Sequence, residues 1–138
     1  SLHDALPISY KRKERRIDEN GTALEVNDEK ECELSDASPL QAYLADNGFA
    51  VVLEKHKQVL GWQYGDVHIE LCTVPPLGDF LELEVLAERN DAALVLQLRA
   101  HLLDVLSKAG ISNDQLEERY YSELLRDAAQ TNTQTKKE

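Results

Sequence analysis

The sequence is poor in cysteine and methionine and has no long apolar run, and these scarcities exclude several classes of protein. Its two cysteines, Cys32 and Cys72, are too few for a disulfide scaffold, and their spacing matches no common metal or redox motif. We expect free thiols in a reducing compartment, which predicts a cytoplasmic protein. No apolar stretch approaches the roughly 20 residues of a membrane-spanning helix, so no membrane partner is expected.

Positive charge is also scarce. The chain has 15 Lys and Arg against 26 Asp and Glu, a formal net charge of −11. A general nucleic-acid binder needs a basic surface, so nucleic acid is excluded as a partner, although a local basic pocket for one small polyanion remains compatible. With 138 residues, 42% hydrophobic and 30% charged, the composition indicates one soluble globular domain.

The first nine positions are atypical. Residues 1–9 (SLHDALPIS) resemble the translation of a common short-read sequencing adapter, and the sequence does not begin with Met. We interpret them as non-native and expect that further native sequence once preceded Tyr10; the alternative is an ordinary N-terminal segment. They are therefore left out of the fold prediction.

The most informative stretch is Leu77–Val85, which alternates with the period of a β-strand. Phe80, Glu82 and Glu84 share one face, and aliphatic residues occupy the other. Two neighbouring carboxylates repel each other unless water, a basic side chain or a metal ion separates them. Mg²⁺ prefers oxygen ligands and often keeps substrate phosphates among them, so Glu82 and Glu84 are a candidate metal site. The alternative is a half-exposed strand with acidic outward positions.

Turn and cap signals predict the remaining elements. An Asn-Gly turn at 18–21 precedes an extended segment over 22–33, and further strands are predicted at 49–57, 67–74 and 81–87. Pro75-Pro76 ends the second of these, and Gly61 and the turn at 64–66 should separate it from the strand at 49–57. Helices are predicted from Ser38-Pro39 to Gly48, from Asn90 or Asp91 to Lys108, and from Asn113 to about Ala129, followed by a disordered tail over 130–138.

These elements describe an α+β domain. Lys55 and Lys57 share a face of one predicted strand, and their charge is opposite to that of Glu82 and Glu84. We therefore expect the two faces to look at each other across a curled sheet, a partial antiparallel β-barrel with a wet, charged tunnel and helices packed outside.

Histidines and aromatic residues gave weaker signals. His56 and His68 form no ligand-type spacing and are interpreted as structural or surface residues. The aromatic side chains of Trp62, Tyr64, Tyr120 and Tyr121 are interpreted as core or interface residues.

Four segments, in this order, resemble the C-terminal half of a CYTH domain: Glu54–Lys57, Val67–Leu71, Leu77–Glu84 and Glu118–Leu125. This superfamily of triphosphate tunnel metalloenzymes contains class IV adenylate cyclases and thiamine triphosphatases, and the pattern leans toward the class IV cyclases. The resemblance covers roughly residues 28–126. It implies that residues 10–129 are the C-terminal part of a CYTH domain whose first strands are missing.

The resemblance also implies roles for individual residues. Lys55 and Lys57 match the basic pair that contacts the triphosphate and are the expected catalytic and substrate-binding residues. Lys11 resembles the tunnel lysine of an earlier strand and is a further substrate-binding candidate. Glu82 and Glu84 match the acidic pair near the metal, which would be Mg²⁺ or Mn²⁺.

Two departures from the family pattern qualify this expectation. The N-terminal Glu-x-Glu-x-Lys motif is absent, because the superficially similar Glu29–Glu33 ends in Glu. Cys72 stands where the family usually has Asp, and a thiol is a poor substitute for a carboxylate on Mg²⁺. The chain as it stands is therefore expected to be inactive.

Three functions remain open. The first is adenylate cyclase, converting ATP to cyclic AMP and pyrophosphate; the second is hydrolysis of tripolyphosphate or thiamine triphosphate; the third is a non-catalytic anion-binding module. The two enzymatic functions predict a triphosphate such as ATP as the small-molecule partner, and a homodimer is a further expectation.

Overall fold

The computed structural model describes residues 6–21 and 23–135, and the chain forms two compact units that divide between Glu54 and Lys55. In the first unit, β1 (Leu6–Ile17) and β2 (Ala23–Leu34) form an antiparallel hairpin. The predicted turn between them is confirmed: the Gly21 N–H donates to the Asp18 carbonyl at 3.0 Å, and Gly21 has a φ of 76°. Such a φ favours glycine, which explains the Asn-Gly signal.

The hairpin is followed by α1 (Ser38–Asp46), whose start differs slightly from the prediction. The N-cap is Ala37, and Ser38 lies inside the helix, where its N–H and hydroxyl both donate to the Asp36 carboxylate. The predicted end is confirmed, since the Gly48 N–H donates to the Ala45 carbonyl at 3.1 Å and Gly48 has a φ of 84°.

The second unit contains a three-stranded antiparallel sheet in the order β3-β4-β5. Its strands are β3 (Gln58–Tyr64), β4 (Val67–Val74) and β5 (Gly78–Val85). The strand predicted at 49–57 is wrong: those residues form no regular element, and β3 begins at Gln58 and runs through Gly61. The physical reason is the length of β4. Gln58 pairs with Thr73, β4 stops at Val74 before Pro75-Pro76, and residues before Gln58 therefore have little of β4 left to pair with.

The alternation of β5 is confirmed, although the strand begins at Gly78 rather than Leu81 and ends before Ala87. The register places Glu70 opposite Glu82, His68 opposite Glu84 and Cys72 opposite Phe80. Directly opposed residues of paired strands project from the same face. We call this the acidic face of the sheet. Aliphatic residues of β4 and β5 occupy the other face.

The helices of the second unit are α2 (Ala92–Lys108) and α3 (Tyr121–Thr135). The helix α2 lies against β5, and its residues Val105 and Leu106 are buried. The other buried hydrophobic residues of the described ranges are Val67, Cys72, Val74 and Leu124. In the described ranges, none of the helices combines the length and apolarity needed to cross a bilayer.

Both predicted limits of the last helix are wrong. Asn113 begins only a short 3-10 turn, Asn113–Gln115, because Ser112 and Gln115 close a capping box around it. The helix α3 starts at Tyr121, where the Glu123 carboxylate accepts the Tyr120 N–H at 2.6 Å. It continues through Thr135 where we expected a disordered tail from 130, with the Thr131 and Thr133 hydroxyls bonded to carbonyls four residues earlier. Residues 136–138 of that predicted tail lie outside the described residues.

The architecture is thus α+β with antiparallel sheets, as expected. The predicted cap of α2 is also confirmed, since the Asp91 carboxylate accepts the Leu94 N–H at 3.1 Å.

We expect Asp91→Ala to lower the free energy of unfolding by about 1 kcal/mol, because it leaves an N-terminal N–H of α2 without a side-chain acceptor. Asp91→Asn keeps an acceptor oxygen at the same position and is the matched control. Urea unfolding followed by circular dichroism measures both. An Ala variant as stable as the Asn variant would show that the cap contributes nothing.

Candidate functional site

Three side chains converge on the acidic face. Ligand atoms of Glu70, Cys72 and Glu82 all lie within 4.8 Å of one another. The strand geometry produces this group, because Glu82 is directly opposite Glu70 and Cys72 is two residues further along the same face of β4. Two opposed carboxylates would repel each other without a cation between them.

Lys57 provides that cation. Its Nζ lies 2.8 Å from Glu82 Oε2 and 3.4 Å from Glu70 Oε2. Lys57 immediately precedes β3, so its side chain reaches the acidic face although it is not part of the sheet. A second basic group, His68, places Nε2 3.1 Å from Glu70 Oε1. The predicted charge pairing between a lysine and a glutamate of these two segments is therefore present, in direct contact.

Gly61 leaves space for the His68 ring on the acidic face, next to Glu70. It lies opposite Glu70 on β3, so no side chain projects from β3 at this point of the acidic face. A Cβ added to Gly61 would come within 3.3 Å of His68 Cε1, closer than an ordinary van der Waals contact. Glycine here therefore lets the His68 ring lie across the neighbouring strand.

Tyr121, the first residue of α3, completes the cluster. Its hydroxyl donates a short hydrogen bond to Glu82 Oε1. Its ring packs edge-on against Phe80, with the centroids 5.1 Å apart and the planes at 90°. The Nζ atoms of Lys55 and Lys57 lie 4.8 Å and 5.7 Å from the ring centroid, distances at which an ammonium group is attracted to an aromatic face.

The charges in this cluster reinforce one another. Burial alone would raise the pKa of Glu82, but the hydrogen bonds from Lys57 and Tyr121 outweigh it and hold that pKa below its ordinary value. Burial alone would lower the pKa of Lys57, and the bond to Glu82 outweighs it, so the pKa of Lys57 is raised. Lys57 and Glu82 therefore form an ionised pair.

The two neutral members of the cluster remain protonated. Burial and the adjacent Glu82 carboxylate raise the pKa of the Tyr121 phenol, which keeps its hydroxyl a donor. Burial, followed by the charge of Glu82, raises the pKa of the Cys72 thiol. A protonated thiol is a poor metal ligand, so the useful donors for a hard cation are the oxygens of Glu70 and Glu82.

The predicted site residues are only partly brought together. Lys57 and Glu82 are in contact, and Lys55 lies over the Tyr121 ring. Glu84 is exposed, opposite His68, and is not a member of the group of three ligand side chains. The roles assigned to Lys55, Lys57 and Glu82 as substrate or metal ligands, and that of Glu84, remain predictions.

Lys11 belongs to the first unit, where its Nζ lies 3.1 Å from Glu29 Oε2 across the hairpin. Its role in substrate binding also remains a prediction.

Sequence reasoning missed two members of the cluster, Glu70 and Tyr121. The signal for Glu70 was present, because the alternation of β4 places it on the face of Cys72 and a hairpin to β5 brings that face beside Glu82. Tyr121 gave no such signal. Its contacts depend on where α3 lies on the sheet, which no local pattern fixes.

Comparison with known proteins gives one curated relative, and no family model matches the chain. The relative is the adenylate cyclase CyaB of Aeromonas hydrophila, 29% identical over 101 residues, which are 73% of this chain and 52% of that protein. The chain thus spans about half the length of this relative.

Two solved structures from Pyrococcus horikoshii OT3 are similar to most of this chain. The PH1819 protein matches with a TM-score of 0.68 and 28% identity, covering 90% of this chain and 66% of that one. The PH1012 protein matches with a TM-score of 0.66 and 25% identity, covering 87% and 66%. The resemblance to CYTH-type class IV adenylate cyclases that the four motifs predicted is confirmed at this level of similarity.

The lowered pKa of Glu82 leads to a prediction about acid stability. Ionised Glu82 contributes stability that is fully present above its ordinary pKa of 4.5 and is lost as the pH falls through its lower folded value. We therefore expect Glu82→Gln to be destabilising at pH 7, by roughly 1 kcal/mol for a half-exposed pair, and progressively less so as the pH falls below 4.5 through the lowered folded-state pKa.

Thermal unfolding of the two proteins between pH 7 and pH 3 measures this difference. Glu84→Gln, which removes an exposed carboxylate of the same strand, is the matched control. A stability difference between wild type and Glu82→Gln that stays constant over this range would contradict the ionised pair.

Proposed function

We propose that this chain is part of a metal-dependent enzyme that acts on a triphosphate substrate, and that its reaction is the adenylate cyclase reaction. The observation that carries the proposal is the cluster of the acidic face, where one lysine bridges two carboxylates and a second lysine lies beside it. The similarity to adenylate cyclase CyaB supports the choice of reaction. The activity is proposed for the whole protein, and binding of the substrate for this chain.

The donors present fit a hard divalent cation. Glu70 and Glu82 offer carboxylate oxygens close enough to share one ion, and Mg²⁺ is usually held by one or two carboxylates, with waters and phosphates as its other ligands. We propose these two residues, with Glu84 at the exposed end of the same face, as the ligands of Mg²⁺ or Mn²⁺. When bound, the ion would neutralise phosphate charge and orient the phosphate chain.

The lysines would bind the phosphates. Lys55 and Lys57 each present a compact ammonium group beside the carboxylates, where negative charge develops when the 3′-hydroxyl of ATP attacks the α-phosphate and pyrophosphate leaves. Lys57 would exchange its contacts with Glu70 and Glu82 for contacts with phosphate oxygens. Lys11, in the hairpin of the first unit, is proposed separately as a further substrate-binding residue.

A triphosphatase is the second candidate. The same cluster would bind tripolyphosphate or thiamine triphosphate, and water would replace the ribose hydroxyl as the nucleophile. A non-catalytic anion-binding module is favoured by a different observation, the protonated and fully buried Cys72 thiol among the carboxylates. A thiol in this position removes an oxygen donor from the metal site without preventing the lysines from binding an anion.

Calorimetric titration of the chain with tripolyphosphate and with ATP, with and without Mg²⁺, tests the proposal. We expect binding that depends on Mg²⁺, because the bare carboxylates repel a polyanion. Lys57→Ala should weaken binding roughly tenfold to hundredfold, the effect of one lost charge-assisted hydrogen bond. The control is Lys108→Ala, which removes an exposed lysine of α2 that pairs with Asp104. Equal losses in the two variants, or binding independent of Mg²⁺, would contradict the proposal.

Product analysis with the whole protein separates the candidates. Cyclic AMP and pyrophosphate from ATP would identify the cyclase, and orthophosphate from tripolyphosphate would identify the triphosphatase. Binding of both ligands without any product, in the presence of Mg²⁺ and of Mn²⁺, would identify the anion-binding module.

A further inference from the structure

The two oxygens of the Glu82 carboxylate have different partners. Oε1 accepts a hydrogen bond from the Tyr121 hydroxyl, and Oε2 accepts one from Lys57 Nζ at 2.8 Å. The first partner is a neutral group that remains a donor, and the second is a mobile charge at the end of a flexible side chain. A ligand cation can compete with Lys57 for Oε2, while the Tyr121 bond to Oε1 stays in place.

Tyr121 is itself fixed from two directions. Its ring packs edge-on against Phe80 of β5, and its backbone begins α3, where the Glu123 carboxylate accepts the N–H of the preceding Tyr120. A donor held this way limits the orientations of the carboxylate it binds. Hydrogen bonds of this kind to metal ligands orient them, and their loss commonly weakens metal binding by a factor of about 10 to 100.

The ring of Tyr121 has a second set of contacts. The Nζ atoms of Lys55 and Lys57 lie 4.8 Å and 5.7 Å from its centroid. Two ammonium groups repel each other, and the negative face of one aromatic ring attracts both. The ring therefore favours keeping both lysines at the cluster.

We propose that Tyr121 is a positioning residue with two separable roles: its hydroxyl orients Glu82 toward a divalent cation, and its ring holds Lys55 and Lys57 where they meet a polyphosphate. This inference rests on the proposed function, since it concerns the same metal and triphosphate site. In this inference Tyr121 acts through the side chains that it contacts, Glu82 and the two lysines. The two roles predict different results for two substitutions.

Tyr121→Phe keeps the ring and removes the hydroxyl. We expect its affinity for Mn²⁺, measured by electron paramagnetic resonance of the free ion, to fall about tenfold or more. Its affinity for tripolyphosphate at saturating Mn²⁺ should equal that of the wild type. Tyr121→Leu removes the ring as well and should weaken both.

A spectroscopic signature accompanies the hydroxyl role. Binding of Mn²⁺ changes the environment of a hydrogen-bonded phenol, so the wild type should show a tyrosine absorbance difference on titration that Tyr121→Phe lacks. Tyr43→Phe, which alters an exposed tyrosine of α1, is the matched control and should behave as the wild type in every measurement.

The outcomes separate this inference from the proposed function. If the wild type binds Mn²⁺ and tripolyphosphate, and Tyr121→Phe binds Mn²⁺ with the same affinity as the wild type, only the hydroxyl role is overturned. Wild-type tripolyphosphate affinity in Tyr121→Leu at saturating Mn²⁺ would overturn the ring role. Loss of tripolyphosphate affinity in the Phe variant at saturating Mn²⁺ would overturn the separation of the two roles, and this holds even if Tyr121→Leu fails to give a cooperative thermal transition. A wild type that binds neither ligand would overturn the proposed function and this inference with it.

Discussion

The local structure depends on the neutralisation of one carboxylate pair. The antiparallel register of β4 and β5 places Glu70 directly opposite Glu82, and like charges in such a pair destabilise a sheet. Lys57 lies against both carboxylates, and the Tyr121 hydroxyl takes the remaining oxygen of Glu82. The pair is stable because three donors surround it: an ammonium group, a phenol and, on Glu70, an imidazole. The start of α3 and the segment before β3 both contact the sheet through this one group.

The sequence predicted those parts of this cluster that depend on neighbouring residues and missed those that depend on distant ones. Alternation is a local pattern, so it correctly placed Glu82 on one face of β5. The opposite charges of Glu82 and Lys57 then predicted the contact that the structure shows. The limits of β3 depended instead on its partner: β4 ends at Val74 before two prolines, and this decided that pairing begins at Gln58. The strand predicted over 49–57 failed for that reason, although Lys57 still reaches the acidic face.

Helix positions were predictable only where a cap was local. The start of α2 was predicted at Asn90 or Asp91, and Asp91 is the cap because its own carboxylate accepts an N–H three residues later. Asn113 was a false start, since a capping box between Ser112 and Gln115 stabilises one short turn and nothing extends it. The contacts of Tyr121 depend on the path of the chain from α2 back to the sheet. They became visible only in three dimensions, and they supply the residue that connects the basic and acidic parts of the site.

The position of Lys55 and Lys57 outside the sheet affects how their backbone is held. In the described second unit it lies outside the β-ladder, immediately before the first paired residue of β3. A residue on a strand can shift its backbone only by breaking sheet hydrogen bonds, whereas the backbone of this segment is outside the ladder of β3, β4 and β5. The basic half of the cluster is thus joined to the sheet through side-chain contacts, and the carboxylate half stands on strands that the ladder holds. The strand prediction therefore failed at the point where the chain passes from an irregular segment into the paired sheet.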